Sequence, residues 1–204
     1  MGIDHTFDEY TEQYSKRQLD DTRNFAKSGR LAGLASLEIG TNRGRFLKAL
    51  AERQPEQFHL GCELRFKWTK LAQRDLENAH IDNAFVICAD ANFVLPVVFD
   101  EEQINQVFVL FPDPWWKKRH AKRRLIQDDF LDLLATKMTA GGRIIIRSDV
   151  GPLADEMRET LTFHKRFKPV DPDDYGRNPF PRSTRERSVI EKGIPINLVY
   201  FERV

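Results

Sequence analysis

The sequence has little cysteine and no long apolar run, and each shortage excludes a class of protein. Only two of the 204 residues are cysteines, which excludes a small secreted fold held together by disulfides. Cys62 and Cys88 each lie in an apolar segment and are interpreted as buried free thiols, because two cysteines alone do not make a zinc site. No segment reaches the roughly 18 apolar residues that a membrane-spanning helix needs.

The sequence also has almost no net charge. The formal net charge is +1, so any contact with nucleic acid requires a local basic patch. The N-terminal segment is charged and lacks the apolar run of a signal peptide, which predicts a cytoplasmic protein. A chain of this length and apolar content can bury a core without disulfides or metals.

Apolar segments with two different periods alternate along the chain. Short continuous apolar runs predict strands, and apolar residues at helical spacing predict helices. The predicted strands are 34–39, 58–62, 84–88, 106–111 and 143–147, with two late strands at 163–167 and 196–201. The predicted helices are 45–53, 66–79, 125–138 and 153–161.

This alternation is typical of a parallel sheet that is covered by helices on both faces. The predicted fold is therefore doubly wound α/β, with ligands beyond the carboxyl ends of the strands. No composition break marks a second domain, so residues 31–204 are predicted to form a single domain. Residues 1–30 are predicted to be a partly helical or flexible arm, and residues 169–182 a long loop.

A carboxylate stands at or near the end of each of the first five predicted strands. Because the carboxyl ends of parallel strands meet at one edge of a sheet, we expect these acids to line one site. They are Glu38, Glu63, Asp90, Asp113 and Asp149.

The turn after the first strand contains Gly40 and Gly44. Glycines let the backbone approach a ligand and turn tightly into the next helix. Asn42 stands where another glycine is expected, and asparagine tolerates a positive φ better than most residues. Glu63, about twenty residues further on, can accept two hydrogen bonds from the hydroxyls of a ribose.

A dinucleotide and S-adenosylmethionine both carry such a ribose, and the charge of Glu38 distinguishes them. A pyrophosphate needs backbone amides, and a carboxylate beside the turn would repel it. S-adenosylmethionine carries an ammonium and a sulfonium but no phosphate, so Glu38 favours it over a dinucleotide. The alternative is that Glu38 and Glu63 only cap the N-termini of neighbouring helices.

Residues 111–124, FPDPWWKKRHAKRR, combine an acid, two aromatic side chains and a basic run. The flanking prolines restrict the backbone around Asp113, and Trp115 and Trp116 offer flat faces on which a base can stack. A solvated face would explain the charges alone, but the combination favours binding of RNA phosphates. The basic residues are Lys117, Lys118, Arg119, Lys122, Arg123 and Arg124.

Together these motifs resemble the transfer RNA (guanine-N7-)-methyltransferase family. The resemblance covers residues 34–202, and its most specific part is the Phe-Pro-Asp-Pro-Trp segment with its basic tail. It is carried by Leu37-Glu38-Ile39-Gly40, Glu63, Asp90-Ala91, residues 111–124, Ser148-Asp149 and the C-terminal TRERSVIEKGIPINLVYFE, which is similar to the family's Thr-Lys-Phe-Glu block.

The resemblance implies a Rossmann-like class I methyltransferase fold, with a seven-stranded, mostly parallel sheet whose last strand is reversed. It implies S-adenosyl-L-methionine as cofactor, tRNA as partner, no metal, a monomer or homodimer, and methylation of N7 of a variable-loop guanine to 7-methylguanosine. Asp113 is the expected catalytic residue. The expected cofactor-binding residues are Glu38, Gly40, Gly44, Glu63, Asp90, Ala91 and Asn92. The expected substrate-binding residues are Asp113, Lys117, Arg119, Arg123, Asp149, Ser183, Thr184 and Glu186.

Three residues depart from the family's pattern. Asn42 replaces a glycine of the turn, and Trp116 stands where a proline is common. Ser183 takes the position of the C-terminal threonine when Glu186 is aligned with the glutamate, whereas Thr184 takes it only after a shift of one residue.

The expected mechanism needs no base, because guanine N7 already carries an in-plane lone pair. A buried Asp113, helped by Asp149 and Glu186, would hold the N1 and N2 hydrogens of guanine and stabilise the positive charge of the methylated ring. Two alternatives stay open at this point: a methyltransferase for another base or a small molecule, and a non-catalytic RNA-binding module, which Asn42 would favour. A dinucleotide-dependent oxidoreductase is disfavoured by the charge of Glu38.

Overall fold

A computed structural model describes residues 14–115, 119, 124–175 and 180–204. Within these residues seven strands form one sheet of order β3-β2-β1-β4-β5-β7-β6. The strands are β1 (Ala35–Ile39), β2 (Phe58–Cys62), β3 (Ala84–Ile87), β4 (Ile104–Leu110), β5 (Met138–Ser148), β6 (Phe167–Pro169) and β7 (Asn197–Arg203). The α-helices are α1 (Lys16–Lys27), α2 (Arg45–Arg53), α3 (Phe66–Asn78), α4 (Ala91–Val98), α5 (Asp128–Lys137), α6 (Gly151–Phe163) and α7 (Thr184–Glu191), and a short 3₁₀ helix covers Pro172–Tyr175.

Strands β1 to β5 pair in parallel. Strand β7 pairs antiparallel with both β5 and β6, so it is the reversed strand and the predicted sheet is confirmed. Strand β1 lies between β2 and β4. The strands that follow β1 in the chain are therefore added first on one side of it (β2, β3) and then on the other (β4, β5), so the strand order switches at β1. A switch of this kind opens a crevice beyond the carboxyl ends of the strands, where ligands of open α/β sheets bind.

Helices cover both faces of this sheet. Consecutive residues of β5 reach different hydrophobic clusters, since Ile144 and Ile146 belong to one cluster and Ile145 to another. This is the reason that residues 144–146 of β5 form a continuous apolar run rather than an alternating pattern. On the second face, the Phe108 ring lies 5.0 Å from the rings of both Phe46 and Phe180, so α2 and the segment before α7 pack side by side.

Several predicted boundaries shift in the structure. Phe163, predicted to begin a late strand, is the last residue of α6, and the strand begins at Phe167. The helix predicted from residue 125 begins at Asp128. Residues 169–182, predicted as a loop, contain the short 3₁₀ helix. Short elements near helix ends carry little periodic signal, which explains these differences.

Two helices were not predicted, for different reasons. Helix α4 is apolar on nearly every side and contains Pro96, so it shows no amphipathic period. Helix α7 begins with a capping box in which Ser183 accepts a hydrogen bond from the backbone of Glu186. The Ser-x-x-Glu pattern is a recognised start signal for a helix, and it was present in the sequence.

Part of the N-terminal arm packs on the core. Helix α1 starts with a capping box at Ser15. Its Phe25 ring stacks on Phe85 of β3 at 5.0 Å, and the Tyr14 ring stacks on Phe93 of α4 at 4.9 Å. The arm therefore contacts the side of the sheet where β3 and α4 lie.

Two findings bear on the classes considered above. In the part of the chain that the structure describes, no helix combines the length and apolar character needed to cross a membrane. Cys62 and Cys88 are free and buried.

We predict that Gly44→Ala lowers the free energy of unfolding by about 3 kcal/mol, measured by urea denaturation without cofactor. Gly44 has φ 67°, and a Cβ there would lie 2.7 Å from Cβ of Ala72. Gly193→Ala is the matched control, because its φ is 66° and its Cβ would meet nothing within 4 Å. The control should lose only about 1 kcal/mol. Equal losses for both variants would contradict the steric explanation.

Candidate active site

The glycine turn joins β1 to α2 through three residues with left-handed backbone. The φ angles are 81° at Gly40, 51° at Asn42 and 67° at Gly44. Asn42 therefore adopts the left-handed conformation that a glycine would adopt at this position. A Cβ on Gly40 would meet nothing within 4 Å, so its backbone borders open space that a ligand can fill.

Glu38 is a buried acid with one unsatisfied oxygen. The residue is 3% exposed, and among the described residues its Oε2 has no hydrogen-bond partner. Burial raises the pKa of Glu38 to about 8; a hydrogen bond from the backbone of Leu47 lowers it, and the charge of Glu63 raises it further. An unsatisfied buried carboxylate is costly unless a donor or cation completes it. The site thus fits a cationic ligand such as the ammonium of S-adenosylmethionine.

Glu63 is the second buried acid of the turn. Its Oε2 accepts a hydrogen bond from the backbone N–H of Asn42 at 2.8 Å, and its Oε1 accepts bonds from the backbone N–H and Nε of Arg65 at 2.9 and 3.1 Å. A carboxylate has about four acceptor positions, so Oε2 keeps capacity for a hydroxyl. The capping alternative is realised in part, because Glu38 contacts α2 and Glu63 contacts the residue before α3.

Asp90 caps helix α4 after strand β3. Its side chain accepts hydrogen bonds from the backbone N–H and from Nδ2 of Asn92, at 2.8 and 2.9 Å. Ala91 is buried, whereas Asn92 is exposed. The three residues form a fixed corner at the same edge of the sheet as the glycine turn.

The segment after β4 holds Asp113 between two strained residues. Phe111 has φ 54° and Trp115 has φ 43°, and bulky residues rarely adopt this left-handed conformation. Such strain persists only where the surroundings impose it, and it concentrates at functional sites. Phe111 N–H donates to the Arg147 carbonyl at 2.7 Å, which ties the end of β4 to the end of β5.

Asp113 itself is exposed, and not buried as the expected mechanism assumed. It lies three residues beyond the end of β4. A carboxylate in this position is open to a ligand that enters from solvent.

The basic run is described only in part. Lys117 and Arg123, predicted to bind phosphate, lie outside the described residues, as does Trp116. Arg119 is exposed. Arg124 forms an ion pair with Glu156 of α6 and donates from Nε to the Pro114 carbonyl at 3.3 Å. This last cation of the run therefore holds the Asp113 segment in place.

Asp149, at the end of β5, forms an ion pair with Arg185 of α7 at 2.5 Å. Arg185 was not predicted as a site residue, because an exposed arginine in a charged segment carries no signal of its own in the sequence. The pair brings the start of α7 to the edge where the other strand-end acids lie.

Glu186 has a different partner from the one expected. Its Oε2 accepts a hydrogen bond from Nη1 of Arg147 at 2.7 Å, and both side chains are buried. The guanidinium of Arg147 also donates to the Tyr200 hydroxyl at 3.3 Å. Glu186 thus anchors α7 to the sheet. The signal for its partner was the charge of Arg147 directly after the apolar run at residues 144–146, because a buried cation requires an acid.

The hydroxyl that caps α7 belongs to Ser183. Its Oγ accepts a hydrogen bond from Glu186 N–H at 3.1 Å, while Glu186 Oε2 accepts one from Ser183 N–H at 3.4 Å. Thr184 is the first residue of the helix and is exposed. The capping geometry favours the alignment that leaves Ser183 at the threonine position.

The described ranges contain no group of three or more histidine, cysteine, aspartate or glutamate side chains that could hold a metal ion.

The structure defines a class I S-adenosylmethionine-dependent methyltransferase. The features that define it are the sheet order, the reversed β7 and a glycine turn beside the buried carboxyl group of Glu38. Solved structures of this class share the fold. TrmN from Thermus thermophilus aligns over 97% of this chain and 52% of its own, with a TM-score of 0.60 and 16% identity. An rRNA methylase from Streptococcus thermophilus aligns over 94% of this chain and 99% of its own, with a TM-score of 0.53 and 12% identity.

Sequence comparison narrows the class. Residues 33–196 match the Methyltransf_4 family, described as "Putative methyltransferase". The tRNA (guanine-N(7)-)-methyltransferase of Thermosynechococcus vestitus is 34% identical over 168 residues, which cover 82% of this chain and 79% of the relative. The enzyme of the same name from Synechococcus elongatus is 36% identical over 171 residues, covering 82% and 80%. The chain belongs to the tRNA (guanine-N(7)-)-methyltransferase family.

We predict that Glu38→Gln removes a pH dependence of stability in the cofactor-free protein. The folded-state pKa of about 8 lies above the ordinary value of 4.5, so between these values the folded protein binds more protons than the unfolded chain. The wild type should lose stability as pH rises from 5 to 8, relative to the variant, and the difference should level off above 8. Urea unfolding across this range measures it, with Glu52→Gln as an exposed control. Parallel curves for wild type and Glu38→Gln would contradict the prediction.

We predict that Glu186→Ala lowers the free energy of unfolding by about 3 kcal/mol, because it leaves the Arg147 guanidinium buried without its carboxylate. Glu191→Ala, at the exposed end of the same helix, should cost about 0.5 kcal/mol or less. The double variant Arg147→Met/Glu186→Leu should recover most of the loss, since it removes both charges. Denaturant unfolding measures all three. A small loss in Glu186→Ala would rule out the anchoring role.

Proposed function

We propose that this chain transfers a methyl group from S-adenosylmethionine to N7 of a guanine in tRNA, giving 7-methylguanosine. One observation carries the proposal: an acid lies within three residues of the end of each of the parallel strands β1 to β5, at one edge of the sheet. We assign the acids of β1 to β3 to the cofactor and those of β4 and β5 to the substrate, because the switch at β1 separates the two groups. The cofactor side has Glu38, Glu63 and Asp90. The substrate side has Asp113 and Asp149.

The cofactor side suits a cation with a ribose. Glu38 would bind the ammonium directly or through water, and Glu63 would accept hydrogen bonds from the ribose hydroxyls. Gly40 and Gly44 would let the backbone approach the ligand. Asp90, Ala91 and Asn92 would form the far wall of the pocket. When bound, S-adenosylmethionine supplies a methyl group on a positively charged sulfur.

The substrate side suits guanine among the bases. Guanine presents N1–H and N2–H donors, and a carboxylate accepts both at once. Asp113 would hold this edge and stabilise the positive charge that the ring gains on methylation. The base would take the site between Asp113 and Asp149, and Arg185 would keep the second carboxylate in place. Because N7 carries its own lone pair, positioning supplies most of the rate.

The strained backbone at Phe111 and Trp115 supports Asp113 as the catalytic residue. A carboxylate that must meet one base edge works best on a stiff segment, because little reorganisation is then needed. Glu186 would act through Arg147 as a positioning residue, with Ser183 and Thr184 at the start of α7 next to the bound base.

The alternative of a non-catalytic RNA-binding module rested on Asn42. Its φ of 51° keeps the left-handed turn, so the departure from glycine no longer favours that alternative. For RNA contact, Lys117, Arg119 and Arg123 are proposed to meet phosphates near the target base.

Several finer points belong to the same proposal. They are the variable-loop position of the guanine, a monomeric or homodimeric state, a cytoplasmic location, and the division into an arm of residues 1–30 and a domain of residues 31–204.

We predict that Asp113→Asn lowers kcat by about 10²- to 10³-fold at saturating tRNA, because the amide cannot stabilise the charged ring. The assay follows labelled methyl transfer from S-adenosylmethionine to unmodified tRNA. Borohydride reduction and aniline cleavage then locate 7-methylguanosine. Asp75→Asn, an exposed acid on α3, should keep wild-type turnover.

Calorimetric titration should give the same affinity for S-adenosylmethionine in Asp113→Asn as in wild type. Near-normal turnover of a folded Asp113→Asn protein would overturn the assignment. If the wild-type enzyme methylates tRNA at a position other than guanine N7, the proposed reaction is wrong.

A further inference from the structure

A cleft lined by four arginines runs between helix α2 and the segment that leads into α7. Two hollows of about 410 and 290 Å³ share Arg182 and Arg187 as lining residues. Arg53 lines the larger hollow and Arg45 the smaller one. We refer to these four residues and the space between them as the arginine cleft.

The core of the protein explains why these arginines meet. Phe46 of α2 and Phe180, just before Arg182, both pack on Phe108 of β4. The buried ion pair between Glu186 and Arg147 fixes the other end of the segment on the sheet. The two elements are therefore held side by side, and the charges on their outer surfaces are brought together.

The cleft has little negative charge of its own among the residues that the structure describes. Among the described residues, none of the four guanidiniums forms an ion pair with a carboxylate. Glu191 is the one acid that lines either hollow within the described part of the chain. A cleft lined by four guanidiniums and one carboxylate attracts anions, so the ligand that fits it best is anionic.

The dimensions favour a chain of anions over a single one. Arg45 and Arg53 stand at the two ends of α2, about 12 Å apart along the helix axis. Thr184 and Ser188 add hydroxyl donors to the smaller hollow. Arginine binds phosphate through two parallel N–H bonds. Four guanidiniums spread over this length match successive phosphates of a nucleic acid strand.

The cleft also begins at the proposed catalytic edge. Arg45 directly follows Gly44 of the glycine turn, and Arg182 directly precedes the Ser183 cap. The basic run at residues 117–124 follows a different strand, so the arginine cleft is a second group of cations.

We propose that the arginine cleft binds the sugar–phosphate backbone of the substrate tRNA, beside the nucleotide that is methylated. This inference rests on the proposed function, since it takes the substrate to be RNA. The cleft supplies affinity and register, and the carboxylates at the edge select the base.

The test compares two double variants that each remove two charges. Arg182→Gln/Arg187→Gln changes the cleft. Arg74→Gln/Arg166→Gln removes two exposed arginines from α3 and from the residue before β6, and serves as the matched control. Fluorescence anisotropy with labelled, unmodified tRNA gives the affinity and its salt dependence. The KCl concentration is varied from roughly 50 to 300 mM, a range in which the affinity of phosphate contacts changes strongly.

In the cleft variant, the affinity for tRNA should fall about tenfold or more at the lowest salt concentration. The plot of log K against log[KCl] should become shallower, with the magnitude of its negative slope smaller by about 1.5. KM for tRNA should rise, while kcat at saturating tRNA and the affinity for S-adenosylmethionine should match wild type. The control variant should keep the wild-type slope.

Each other outcome decides between the two proposals. Equal slopes in the cleft and control variants, with methyl transfer retained in both, would overturn the cleft proposal and leave the proposed function intact. Loss of slope in the cleft variant, with wild type unable to methylate tRNA, would keep the cleft and overturn the function. No binding of tRNA by wild type would overturn both.

Discussion

Arg147 is the residue on which the substrate side of the molecule depends. Its side chain carries the buried ion pair with Glu186 that fixes α7, and its backbone carbonyl accepts the hydrogen bond from Phe111 that sets the segment of Asp113. A buried guanidinium without a carboxylate is strongly unfavourable, so separation of α7 from the sheet would cost several kcal/mol, of the order of a broken buried ion pair. One position at the end of β5 thus determines where Asp113, the Asp149–Arg185 pair and the arginine cleft lie relative to one another.

The acids on the two sides of the switch at β1 lie in opposite environments. On the substrate side Asp149 has its own cation in Arg185, and Asp113 is open to solvent. On the cofactor side Glu38 is buried beside Glu63 and lacks a cation among the described residues. Burial favours the protonated form of Glu38 in the cofactor-free protein, and a positive ligand would favour its carboxylate. Among the described residues, the buried acid without a cation therefore lies on one side of the switch at β1, and the exposed and the ion-paired acids lie on the other.

The sequence predicted the central sheet well because each of β1 to β5 contains a short apolar run and has an acid within three residues of its end. It predicted the turn because Asn42 tolerates the left-handed region. It failed at α4, whose apolar surface and Pro96 leave no helical period, and at β6, where Phe163 continues the preceding helix. At the site, strand-end acids could be found by position alone. Arg147 indicated a buried acid, but neither the identity of that acid as Glu186 nor the arginine cleft could be predicted. Both join segments far apart in the chain through packing, and no local pattern records that packing.

The backbone at Asn42 has a wider implication for how relatives of such proteins are recognised. The turn between β1 and α2 keeps its left-handed residues although its middle position is not glycine. A search pattern that insists on a third glycine would reject this chain. What the turn requires at that position is a positive φ, and asparagine is one of the few side chains that can stand in for glycine there.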